Sequence, residues 1–237
     1  MTNVTPQPNG MALDLHVHTA IGSNDCHLSL ARLTEAAHQV GIHGIAVIEH
    51  DAAWAPERLA CYRQESGLFV CAGREWPTNW GHVIALGLDH ELEDIRRLED
   101  LRRLADEAGG YLILAHPFRF FPSGSNYLFG PQGNSSTLST EEMARHPVWE
   151  LVDEIEVLNY NCTDKENELA AAVARVLGKR GTAGSDAHTF TEVGRCITVL
   201  ERVVASESEL IEELRAGRHY LARRKPNGEY VPFVSPA

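Results

Sequence analysis

Short apolar runs and amphipathic stretches take turns along the chain. At its start Leu13, Leu15 and Val17 alternate with Asp14, His16 and His18, the period-two pattern of a strand. Residues 44–48 (GIAVI), 68–72 (LFVCA), 83–88 (VIALGL), 111–115 (YLILA), 155–158, 182–184 and 196–200 are continuous apolar runs. Runs of this kind belong to strands covered on both faces. Between them lie helical patterns. Ser29 is an N-cap for a helix carrying Leu30, Leu33, Ala36, Ala37 and Val40 on one face, and Gly41 closes it. Further helices are predicted over 56–65, 91–108, 165–177 and 208–215, the second with a stripe of Leu92, Ile95, Leu98, Leu101 and Leu104 ended by Gly109-Gly110. Residues 118–147 are irregular, rich in Gly, Ser, Asn and Pro, with Phe118, Phe120, Phe121, Tyr127 and Phe129; a connection this long reads as a functional lid.

Strand–helix alternation without internal repeats predicts a single-domain α/β protein, either a parallel barrel or a doubly wound sheet. The polar residues decide between them. His16, His18, Asp25, His50, Glu75, His82, His116, Asp186 and His188 all fall where an apolar run begins or stops. Only a closed barrel lets so many strand ends converge on one point, so a barrel is expected. The set holds imidazoles and carboxylates and no thiolate, which suits zinc, manganese or iron used for chemistry rather than structural zinc. Nine donors exceed the needs of one ion, whereas two or three ions sharing a bridging carboxylate would use them all. The remaining histidines (His27, His38, His43, His90, His146 and His219) fall on helices, loops or termini and are expected to be structural or solvated.

Bulk properties narrow the picture. At 237 residues, 43% hydrophobic and 23% charged, the chain can bury a full core. Its formal net charge of -12 speaks against nucleic acid as a large surface partner. Three divalent ions would bring that charge to about -6. Five cysteines, an odd number without Cys-x-x-Cys spacing, are expected to be reduced, with Cys61, Cys71 and Cys196 in apolar segments. No run is long enough to span a bilayer, and residues 1–10 form a polar leader without an apolar signal core. These features predict a soluble cytoplasmic protein with a flexible leader (1–10), one domain (11–222) and a poorly ordered tail (223–237).

Eight short motifs then occur in one order: HVH at 16–18, SNDCHLS at 23–29, IEHD at 48–51, GREW at 73–76, GHVIALGL at 81–88, AHPFR at 115–119, IEVLN at 155–159 and GSDAHT at 184–189. Together they resemble the PHP (polymerase and histidinol phosphatase) family over residues 11–219. The resemblance implies a distorted (β/α)7 TIM-like barrel and a trinuclear centre of manganese, zinc or iron. It also implies phosphoester hydrolysis by a metal-bound hydroxide. It assigns His16, His18, Glu75 and Asp186 to a first metal, and Asp25, His50 and His188 to a second. Glu75 would bridge to a third metal completed by His82 and His116. Ile48 stands where many members carry Thr or Ser. The expected partner is a small phosphorylated substrate, with Arg119, and less directly Arg195, able to grip its phosphate through a planar guanidinium fork. Asn159, at a strand end, is a candidate either to face the pocket or to cap a turn. Two rivals remain. A metal-dependent amidohydrolase would use the same hydroxide on a carbonyl, and an accessory PHP module would not be catalytic.

Overall fold

The computed structural model describes residues 10–51, 54–88, 92, 95–130 and 138–234. Ten strands form one sheet in the order β10-β9-β8-β1-β2-β3-β4-β5-β6-β7. Strand β1 (Met11–Val17) pairs in parallel with β2 (Gly44–Glu49), and β2 with β3 (Phe69–Thr78). At the far end β5 (Tyr111–Leu114), β6 (Glu154–Asn159) and β7 (Thr182–Gly184) are also parallel neighbours. Between the two sets β4 (Gly81–Leu86) runs against both β3 and β5. From β1 to β7 the β/α alternation is therefore broken once, by the β3–β4 hairpin. Beyond β1 an antiparallel arm of β8 (Cys196–Leu200), β9 (His219–Arg224) and β10 (Tyr230–Pro232) extends the sheet.

The sheet curls until the segment after β7 meets β1. Val17 and Ala187 form a parallel bridge, His18 N–H donates to Ala187 O at 2.9 Å, and Ala187 N–H donates to His16 O at 3.2 Å. Glycine at position 184 makes that approach possible. A Cβ there would lie 2.3 Å from His16 Cβ and 2.8 Å from Glu156 Oε1. The β7 edge of the sheet thus closes against β1, beside the histidine pair.

Helices cover the curl. In α1 (Leu30–Val40) the Ser29 side chain accepts from Arg32 N–H, Gly41 closes the C-terminus at φ 76°, and Leu33, Ala36, Ala37 and Val40 are buried. These are the caps and face its sequence predicts. The others are α2 (Pro56–Ser66), α3 (Leu98–Ala108), α4 (Thr140–Met143), α5 (Asp164–Val176) and α6 (Glu207–Arg215). One core cluster joins Leu13, Leu15, Ala46, Ile48, Ile84 and Ile113 to α6, while two others pack the sheet against α1 and α2 and against α3 and α5. Among the described residues no helix is long and apolar enough to cross a membrane.

Four expectations are corrected. Strand β3 does not stop at Ala72 but continues through Glu75 into the hairpin, so Glu75 lies inside a strand. Helix α3 starts at Leu98, because Asn79 from the β3–β4 turn caps it there: its Oδ1 accepts from Leu98 N–H at 2.9 Å. Leu92 and Ile95 precede the helix and pack on the core from outside it. Cys61 is exposed on α2, although Cys71 and Cys196 are buried, and all five cysteines are free. Residues 223–232 are not a loose tail. Asn227-Gly228 turns β9 into β10, with Gly228 at φ 89° and the Tyr230 hydroxyl donating to Gly194 O at 2.9 Å. The leader (1–9), His90 and residues 131–137 lie outside the described residues.

Candidate metal centre

The nine donors named from the sequence meet in one place. His16 and His18, from the end of β1, face each other with their Nε2 atoms 3.1 Å apart. Asp186, from the loop after β7, puts Oδ1 3.2 Å from His18 Nε2 and 3.7 Å from His16 Nε2. Glu75 of β3 lies at the middle. Its Oε1 is 3.1 Å from both His82 Nδ1 and His116 Nε2, and its Oε2 is 3.2 Å from His50 Nδ1. Asp25 Oδ2 stands 3.5 Å from His50 Nε2 and from His188 Nε2. Donor atoms close enough to share an ion fall into three groups: His16, His18 and Glu75; Glu75, His82 and His116; and His18, His50 and His188. Glu75 joins the first two groups. His18, rather than Asp25, completes the third.

Why these side chains point inward is visible in what holds them from behind. Glu156 of β6 is 98% buried, and its Oε1 lies 2.9 Å from His16 Nδ1 while Oε2 accepts from His116 N–H. That carboxylate fixes the Nδ1–H tautomer of His16 and leaves the Nε2 lone pair free. Glu49, at the end of β2, is fully buried and accepts from Thr19, from Trp54 Nε1 and from Ser23 Oγ at 2.6 Å. Since the Ser23 hydroxyl gives its proton to Glu49, its oxygen is left to accept from His18 Nδ1 at 3.3 Å. The two imidazoles are therefore set with Nε2 lone pairs facing across 3.1 Å, and only a proton or a cation relieves that repulsion. This donor set fits metal ions on its own geometry.

The electrostatics agree. Burial opposes a charge on His16, yet the carboxylates of Glu156, Asp186 and Glu75 outweigh it and hold the ring well above the usual histidine range. His18, deprived of water and close to cationic neighbours, is pushed down to about 4. Burial would raise Glu75 and Asp186, but the surrounding imidazoles, His16 foremost, keep both well below ordinary carboxylates. Beneath the pair, Asp14 accepts from the backbone N–H groups of Ser185, Gly194 and His16, and burial raises it to about 6. Two donors sit on backbone that L-residues rarely adopt, His116 at φ 31° and Asp186 at φ 52°. Strain of this kind, about 1–3 kcal/mol each, persists where the surroundings over-determine a side chain's aim.

The remaining candidates separate. Arg119 NH1 bonds Asp186 Oδ2 at 3.1 Å, so it is anchored to the donor set with its side chain still partly exposed. Arg195 has partners of its own: Nε donates to Thr191 O at 2.8 Å, and the guanidinium lies 5.6 Å from the Tyr160 ring centre. Asn159 does not face the pocket. It is fully buried, donates to Glu156 Oε2 and exchanges bonds with Asn167. His38, His43, His146 and His219 bond backbone groups, as expected of structural histidines. The supporting residues Glu49 and Glu156 were missed by sequence reasoning. Their signal was an ionisable residue inside an otherwise apolar strand, GIAVIE and EIEVLN.

A curled α/β sheet gathering imidazoles and carboxylates at one mouth defines the class, and similarity to known proteins narrows it. The model of the "PHP-associated" family matches residues 164–219, which hold Asp186 and His188. Among proteins of curated function none matches the chain in sequence. Among solved structures, a two-domain protein from Bacteroides vulgatus containing a predicted PHP-like metal-dependent phosphoesterase superposes with a TM-score of 0.63. It is 18% identical over 92% of this chain and 67% of that one. An amidohydrolase from Chromobacterium violaceum with bound sulfate gives a TM-score of 0.60 at 14% identity, over 91% and 99% of the two chains. The lesion-specific endonuclease Q of Pyrococcus furiosus gives 0.54 at 13% identity over 87% of this chain and 56% of its own. The chain thus carries a PHP-associated segment over residues 164–219 and shares its fold with PHP-like metal-dependent phosphoesterases.

One expectation changes with these relatives. Endonuclease Q has been solved on a duplex with an abasic lesion at its active site. The net charge of -12 therefore does not exclude nucleic acid. A whole-chain sum says nothing of the charge around one cleft, and bound cations would alter it there.

Proposed function

We propose that the protein is a metal-dependent phosphoesterase. His16, His18, Glu75 and Asp186 would hold one divalent cation, Asp25, His50 and His188 a second, and His82 and His116 with a shared Glu75 a third. On this reading the curled sheet is the distorted seven-unit barrel of the family. Bound cations of this kind lower the pKa of water and neutralise charge on phosphate oxygens. The chain's own residues supply the rest. Glu156 and the Glu49–Ser23 pair hold two imidazoles in one tautomer, and Arg119, already tied to Asp186, extends its fork toward an anionic substrate.

The observation that carries the reading is the pair of opposed Nε2 atoms in a nest of seven clustered donor residues, with Asp186 and Asp25 beside them. The likeness to an amidohydrolase keeps carbonyl hydrolysis as the second reading. The test is metal content by elemental analysis together with manganese-loaded protein assayed on phosphate monoesters, diesters and amides. Two or three metal equivalents and turnover of phosphate esters are expected; turnover of amides alone would replace the phosphoesterase reading with its rival.

A further inference from the structure

Beside the donors lies a cavity of about 110 Å³ whose walls include Trp80, His82, His116, Arg119, Phe120 and Tyr127. It is somewhat smaller than the roughly 150 Å³ cavity known to take benzene, and it opens to solvent past Tyr127 and Phe120, 60% and 54% exposed. A flat ring would sit partly inside this cavity and partly against the two exposed aromatic side chains.

Three features mark these aromatics as part of the site. Among the described residues three non-glycine residues have positive φ: His116, Asp186 and Phe120, the last at 65°. Two are donors; the third is a cavity wall. The segment is also held in place. Asn126 is 98% buried, donates to Pro117 O and Arg119 O, and accepts from Leu128 and Phe129 N–H, while Phe120 N–H donates to Glu166 Oε1 at 2.6 Å. Finally, the loop's aromatics divide. Phe118 and Phe129 stack at 5.5 Å in the core with Trp149 beyond, whereas the Tyr127 ring lies 5.5 Å from that of His82.

We infer that Phe120 and Tyr127 are specificity residues that grip a flat aromatic or heteroaromatic ring of the phosphorylated substrate. The inference rests on the phosphoesterase reading, since the donors would hold the phosphate while the aromatics hold the ring. Ring faces recognise flat unsaturated groups by stacking, and a puckered ring of equal size loses that contact.

The test is calorimetric binding of benzylphosphonate and cyclohexylmethylphosphonate to manganese-loaded full-length protein and to the Phe120→Leu and Tyr127→Leu variants. Both probes carry the same phosphonate and neither can be hydrolysed. The wild type is expected to favour the benzyl compound about five- to tenfold, and each variant to bring the ratio close to one. Equal affinity in the wild type, no binding of either probe, or an unchanged ratio in both variants would overturn the assignment. Displacement of benzylphosphonate by thymidine 5′-phosphate marks a free small ester as the ring's source, and displacement by a thymidine tetranucleotide marks a strand end. A protein that keeps the benzyl preference yet cleaves no phosphate ester defeats the phosphoesterase reading and leaves the ring site standing.

Discussion

The inner and outer halves of the donor cluster are held in different ways. His16, His18, Glu75 and Asp186 are almost wholly buried, and the two imidazoles are backed by carboxylates from other strands, Glu156 directly and Glu49 through Ser23. At the rim His50, His82 and His188 are about a quarter exposed, and Asp25 is 62% exposed with only imidazoles for partners. Burial without partners would neutralise such groups; burial with fixed partners aims them. The inner half is thus set before any cation arrives, and the rim is free to adjust to what binds.

That contrast predicts a gradient of effects. Glu75 touches three imidazoles from three segments, so Glu75→Gln should be the most damaging single change. It removes the one carboxylate within reach of His50, His82 and His116 together and leaves a buried amide among them. We expect loss of at least one metal equivalent by elemental analysis and a fall in activity of about a thousandfold or more. Circular dichroism should remain that of a folded protein. Retention of all metal would break the idea that this carboxylate is shared.

Next comes a paired test of the two halves. Glu156→Gln leaves every donor in place but lets His16 change tautomer, and should weaken metal binding about 10- to 100-fold. Asp25→Asn alters a donor itself, yet at the exposed rim water can substitute for it, so about tenfold or less is expected, recovered at higher metal concentration. The readout is a competitive chelator titration of each variant. A larger loss for Asp25 than for Glu156 would invert the comparison, placing the energetic weight at the rim.

These assignments were legible to different degrees in the sequence, for physical reasons. Buried parallel strands are read directly from apolar runs, and donors at their ends carry chemistry that apolar segments do not. Gly73-Arg74-Glu75 resembles a strand stop, yet in the fold Arg74 lays its guanidinium 3.9 Å from the Trp76 ring centre, so the charge is accommodated inside β3. The apolar spacing of α3 continues upstream of the helix, whereas its start is set by Asn79, a cap from another element that no local pattern reveals. The β9–β10 arm was hidden by Arg223, Arg224 and Lys225. Its Asn-Gly turn was the available sign. Glu156 and Glu49 escaped because a carboxylate behind an imidazole is defined by pairing across some 140 and 26–31 positions, a distance in sequence that spacing rules do not reach.

The weakest expected effect on the centre is none at all, and it separates carboxylates that aim metal donors from those that only hold elements together. Glu213 of α6 is also buried, but its partners are arginines: Arg202 Nε at 2.5 Å, and Arg218 Nε and NH2 both at 2.8 Å. Those bonds, Arg218 first, hold it down to about 2 against a usual 4.5. A carboxylate depressed by folding adds stability that is fully present above 4.5 and is lost as pH falls through about 2. Glu213→Gln should therefore lower the urea midpoint at pH 7, and the gap from wild type should narrow steadily as pH falls from 4.5 toward 2. Metal content and the chelator titration at pH 7 should match wild type, because these guanidinium partners tie α6 to the loops flanking β8 and β9 rather than to any donor. A change in metal affinity in this variant would mean that the antiparallel arm is coupled to the donors through β1. The inner half would then owe its rigidity to the whole sheet rather than to Glu156 and Glu49.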